Sequence, residues 1–150
     1  MWICTDRQGA SNPTPTPASG SPAPLVDNDI ISAGEVIINE LVSDTVDGGE
    51  EWVEIFNRSG NAINLSNLTL TEGSGASTTL SGTININNRY AVFYSPKGNL
   101  NNSGDIVILK YRDKIIDQVT YGNWDDGNLS DNALIAPDPY SLARLPDGLD

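Results

Sequence analysis

From Glu35 onward the chain is a succession of short runs rich in β-branched and aromatic residues, each closed by Asn, Gly, Ser or Asp. They are EVIINELV (35–42), EWVEIFN (51–57), NLTLT (67–71), a weaker TLSGTINI (79–86), RYAVFY (89–94), DIVILKY (105–111) and IIDQVTYG (115–122). Seven strands recurring about every ten residues predict an all-β, antiparallel sandwich or barrel. No window carries a capped 3.6-residue apolar period, so helix is expected only as isolated turns. DIVILKY and IIDQVTY, joined by Arg112, Asp113 and Lys114, read as a hairpin with a three-residue loop, a kind that often contains a bulge. The only cysteine, Cys4, cannot close an intrachain disulfide, which excludes the disulfide-pinned antibody form of the sandwich.

The N-terminal part has a different texture. SNPTPTPASGSPAP, residues 11–24, holds five of the nine prolines among small polar residues and no charge. Proline keeps such a stretch extended and the composition gives it no core to fold around. Residues 1–34 are therefore expected to form a disordered tail and linker whose deletion leaves the melting temperature unchanged, and residues 35–150 the folded domain. The opening MWIC allows an alternative in which Cys4 is the remnant of a lipid anchor, but the small-residue processing site that this requires is missing from the residues before it. No stretch is long and apolar enough to read as a membrane-spanning helix.

Charge and composition remove whole classes of function. Eight Lys and Arg against twenty Asp and Glu give a formal charge of -12, which repels a nucleic-acid backbone. The absence of histidine removes imidazole bases, the usual nucleophile–base pairs and most zinc sites. Carboxylate chemistry and hard-cation binding are what remain. In GEEWVEIFNRSG, residues 49–60, alternation puts Glu51 with Val53 and Ile55 on one face and Glu54 with Trp52 and Phe56 on the other. Glu51 and Glu54 cannot form a catalytic pair. Glu54 is expected to be a structural carboxylate, held by backbone N–H groups or an arginine. Trp52, Phe56, Tyr90, Phe93 and Tyr94 are expected to be core or core-edge residues rather than a sugar-stacking platform.

These runs also carry a family resemblance. VIINELV, EEWVEIFN followed by RSGNAINLSNLTL, GNLNNSGDIVIL, IIDQVTYG and SLARLPDG, in that order over residues 35–148, resemble the lamin tail domain. The family motifs fall on Asn39 and Glu40, on Glu51, Trp52, Glu54 and Asn57, on Leu100 to Asp105, and on Ile116, Asp117, Val119, Tyr121 and Gly122. The resemblance implies an immunoglobulin-like sandwich of about seven to eight strands, with Trp52, Glu54 and Asn57 in structural roles. It implies a binding or scaffold module that is not an enzyme, has no cofactor and carries no metal site. Coiled-coil heptads and basic localisation signals are missing, so the bacterial surface or secreted type fits better than a nuclear filament. Bacterial relatives commonly run past the LARLPDG motif into another short strand, so an edge strand is expected to be absent from this chain or supplied by a neighbour.

Two loops remain. GNWDDGNLSDN, residues 122–132, has no strand pattern, and its Trp124 is expected to be exposed and available for binding. Asp125, Asp126, Asn128 and Asp131 in the same loop are candidate calcium ligands, and Asp44, Asp47 and Glu50 form a second acidic cluster. The functional expectation is a non-catalytic extracellular module, secreted or held on a bacterial cell surface, whose partner is an unknown protein or glycan. The alternative is an accessory domain of a secreted hydrolase or nuclease, with or without stabilisation by calcium.

Overall fold

The computed structural model describes residues 1–6, 30–46 and 49–149. Among them are eleven strands: β1 (Trp2–Asp6), β2 (Val36–Val42), β3 (Trp52–Asn57), β4 (Ile63–Asn64), β5 (Leu68–Thr71), β6 (Ser77–Thr79), β7 (Thr83–Ile84), β8 (Tyr90–Tyr94), β9 (Gly104–Tyr111), β10 (Lys114–Gly122) and β11 (Tyr140–Arg144). Among the described residues helix is limited to two single 3₁₀ turns, Leu65–Asn67 and Leu129–Asp131, and in each the Asn ahead of the turn accepts a bond from a backbone N–H inside it. A five-stranded sheet in the order β1-β11-β2-β3-β8 faces a four-stranded sheet in the order β10-β9-β5-β6, and β4 pairs with β7. The strand ladders are antiparallel. This is the antiparallel sandwich that the strand pattern predicts, in the immunoglobulin-like form that the resemblance implies.

Alternation fills the space between the sheets. Val107 and Leu109 of β9, Leu68 and Leu70 of β5, and Val53 and Ile55 of β3 all belong to one buried cluster. Burying a side chain of this size contributes about 1.5–3 kcal/mol. In β2 the inward positions Ile38 and Leu41 are three residues apart, which strict alternation forbids. A bulge between Ile38 and Glu40 reconciles them. A second irregularity, between Ile115 and Asp117 of β10, sets Asp117 opposite Leu109 and so turns it inward.

Asp117 joins the two sheets. Its carboxylate receives both Nη groups of Arg144 in β11, at 2.8 and 3.0 Å, and the Ile38 N–H at 2.7 Å. The Arg144 side chain is only 3% exposed. A bidentate pair with a third donor is the geometry that makes burial of two charges tolerable.

Several boundaries differ from expectation. TLSGTINI is broken at Ser81-Gly82, so β6 extends from Ser77 to pair with β5, while β7 turns away to pair with β4. The β9–β10 turn has two residues, Arg112 and Asp113, because Tyr111 and Lys114 are already paired; Arg112 takes a positive φ of 54°. The expectation of a disordered tail over residues 1–34 is corrected at both ends. Trp2–Asp6 pairs with β11 over five positions, and Ile31 is buried in the core. The proline-rich stretch 11–24 lies outside the described residues. The outer edge of β11 is covered by β1 of the same chain.

Candidate binding face

Because Val53 and Ile55 point inward, Trp52, Glu54 and Phe56 project from the outer face of the five-stranded sheet. The register on β8 sets Trp52 beside Tyr94, Glu54 beside Val92 and Phe56 beside Tyr90. Tyr94 and Tyr90 are 49% and 37% exposed, and Trp52 is half-buried. The aromatic residues of β3 and β8 were expected in the core or at its edge rather than as a stacking platform. Only Phe93 packs against the core cluster, while Trp52, Tyr90 and Tyr94 form an outward row. Phe56 is buried on this outer side, 4.8 Å from the Tyr90 ring and 4.7 Å from the Arg89 guanidinium. Gly148 lies over it with a φ of +77°, a conformation that suits glycine, and a Cβ there would stand a tight 3.0 Å from the Phe56 ring.

At the centre of the face stand two carboxylates. The bulge at Asn39 brings Glu40 directly opposite Glu54, and side chains so paired have Cβ atoms about 5 Å apart. Glu54 Oε1 accepts from Asn39 Nδ2 at 2.9 Å, and Glu40 Oε1 accepts from the Ser141 hydroxyl. Burial pushes the Glu54 carboxyl up to about 7 from an ordinary 4.5; the Asn39 bond opposes this, and the charges of Glu40 and Asp147 add to it. Glu40 is raised too, by burial first and the Asp147 charge last, against the Ser141 bond. Asn39 also donates to Asp147 at 3.3 Å and accepts from the Gly148 N–H at 3.0 Å, and Tyr90 donates to Asp147 at 2.6 Å. Glu54 is thus held by an amide among like charges, not by backbone N–H groups or an arginine as anticipated. The same-face acid pair that Glu51 and Glu54 cannot form exists as Glu40 and Glu54.

The other family positions hold the fold together. Asn57, fully buried, donates to Asn61 O at 2.7 Å and accepts from the Ser59 N–H and hydroxyl at 2.9 and 2.7 Å, shaping the turn after β3. Asp105 accepts from the Gly73 and Ile106 N–H groups, both at 2.8 Å, and from Asn101 N–H and Nδ2 at 3.0 and 3.1 Å. Glu51 accepts from the Leu100 N–H at 2.7 Å.

Trp124 is half-buried rather than exposed, its ring filling the space beside Gly73 where a side chain would stand. The proposed calcium ligands do not converge. Asp125 and Asp126 accept from the N–H groups of Gly127 and Asn128, at 2.9 and 3.2 Å, and Asp131 accepts from Asn128 Nδ2 at 2.8 Å. The first two are short Asx turns and the third joins two side chains. Among the described residues no three of His, Cys, Asp and Glu come together to hold a metal ion. Of the second acidic cluster, Asp47 lies outside the described residues.

The family model of the Lamin Tail Domain matches residues 31–123. The chain belongs to this family. No curated protein and no solved structure matches it significantly. The matched span runs from Ile31, ahead of β2, to the end of β10, so it contains the Asn39, Glu40 and Glu54 positions and the Asp117 half of the buried ion pair. A lamin tail domain is an immunoglobulin-like module of binding or scaffold type. No described helix is long and apolar enough to cross a membrane.

Proposed function

We propose that this lamin tail domain is a non-catalytic extracellular adhesion or scaffold module of a bacterial surface or secreted protein, meeting a protein or glycan through the outer face of its five-stranded sheet. The observation that carries the reading is the row of Trp52, Tyr94 and Tyr90 around Glu54 on a face that solvent reaches. Aromatic rings supply contact area at low entropic cost, and the carboxylates supply acceptors that orient a ligand. The proline-rich stretch 11–24 suits a spacer that holds the module away from its anchor. Binding to glycan arrays and to bacterial surface extracts tests this. Tyr94→Ala should weaken capture by about tenfold while leaving the melt intact, and binding equal to wild type overturns the assignment of this face.

The Glu40–Glu54 pair favours one second reading, an accessory domain of a secreted hydrolase or nuclease. A carboxyl raised to about 7 beside another on the same face has the properties of a general acid and base. Turnover by the wild type that disappears in Glu54→Gln at unchanged stability is the result that reading requires.

A further inference from the structure

We propose that β1 is an exchangeable strand, and that two copies of this chain dimerise by each placing its Trp2–Asp6 on the β11 edge of the other. The seat is tied to the rest of the fold as well as to its occupant, since β11 pairs with β2 through Leu142 and Ala143. Arg144 is fixed by Asp117 of the opposite sheet, and the Trp2 ring lies 4.8 Å from its guanidinium carbon while packing against the core cluster. A second point of recognition is the Thr5 hydroxyl, 2.7 Å from that of Ser141, and between them the ladder pairs Ile3 with Ala143 and Cys4 with Leu142. An aromatic anchor, a hydroxyl contact and backbone bonds are the parts of recognition by strand addition.

The strand ends the sheet order and forms its ladder with β11. It reaches the rest of the fold along the chain only through residues 7–29, which hold five of the nine prolines. Every contact just named can therefore form equally well between copies as within one. What favours the intramolecular arrangement is the effective concentration of the tethered strand, of millimolar order for a short flexible linker and lower for one that is long or extended. Proline-rich composition weakens that advantage, and crowding of copies on a surface opposes it further. Reciprocal exchange closes a two-fold dimer and leaves neither β11 edge open. The exchange uses none of Trp52, Tyr90 or Tyr94, so it stands apart from the outer-face reading.

Sedimentation equilibrium of the full chain, from micromolar to about millimolar concentration, tests the exchange. The expected result is a monomer–dimer equilibrium that Trp2→Ala weakens by about tenfold or more, and that an excess of a hexapeptide of residues 1–6 converts to monomer. Isotopically heavy and light chains, mixed and examined by native mass spectrometry, should give mixed dimers. A chain that stays monomeric throughout, or a dimer unmoved by both Trp2→Ala and the peptide, overturns the proposal. The peptide arm uses the unaltered chain and so holds even if Trp2→Ala unfolds. A monomer that still binds surface extracts would remove strand exchange and leave the outer-face reading standing.

Discussion

At the scale of single residues, ionisation decides more than contact. The Glu54 carboxyl titrates near 7 in the fold and near 4.5 in the unfolded chain, so between those values the folded state holds a proton that the unfolded state has released. Stability must fall as pH rises from 4.5 through 7, and the raised Glu40 adds to the same slope. Glu54→Gln keeps the Asn39 hydrogen bond and removes the charge. Allowing for solvent screening of a partly exposed group, it should stabilise the domain by about 1–2 kcal/mol at pH 8 and by almost nothing at pH 4.5. Urea denaturation at the two pH values measures this, and destabilisation at pH 8 would show that the carboxylate is held by something stronger than one amide. Asp117→Ala should behave oppositely. It strands the Arg144 charge and the Ile38 N–H, at a cost of about 3–5 kcal/mol, and a loss below about 1 kcal/mol would mean that the pair is solvated. Neither relation was legible in the sequence. Glu40 meets Glu54 only because a bulge shifts the register by one residue, and Arg144 is 27 positions from Asp117 on the opposite sheet.

Among the elements, legibility follows alternation. The runs between residues 35 and 122 could be located because each presents one apolar face to a shared core, and the hairpin of β9 and β10 is the plainest case. Its loop was misjudged by one residue because Arg112 takes a positive φ without being glycine. β11 escaped notice because YSLAR is short and lies between Pro139 and Pro146. β1 escaped because five residues followed by a proline-rich run have no visible partner, and its place depends on an edge created by the other end of the chain. Deleting residues 1–6 removes that ladder together with the partly buried Trp2. A loss of about 1–2 kcal/mol is expected, seen as a fall of several degrees in melting temperature. An unchanged melt would restore the reading of these residues as an idle tail. At the far end of the β9–β10 hairpin, Gly104 pairs with Gly122, and a Cβ on Gly122 would stand 2.3 Å from Ser103 O. Gly122→Ala should therefore cost at least about 2 kcal/mol by equilibrium unfolding, and a neutral outcome would mean that the two loops can separate freely.

For the whole molecule the net charge of -12 is the governing quantity. The ion pair of Asp117 with Arg144 is buried, with side chains 11% and 3% exposed, and so is little screened by dissolved salt. At a net charge of -12 the exposed carboxylates repel one another, and like charge adds, after burial, to the raised titration of Glu40 and Glu54. Screening should favour the compact state. Raising NaCl from about 10 to 150 mM shortens the Debye length from about 30 to 8 Å, enough to uncouple carboxylates on separate strands while leaving the buried pair intact. The melting temperature at pH 8 is expected to rise by several degrees over that range, and by less at pH 5, where Glu54 is already protonated. Glu54→Gln should take part of the salt effect with it at pH 8. A melting temperature that falls with salt would show that attractive surface pairs outweigh the repulsion, and the acidic surface would then stabilise the fold instead of opposing it.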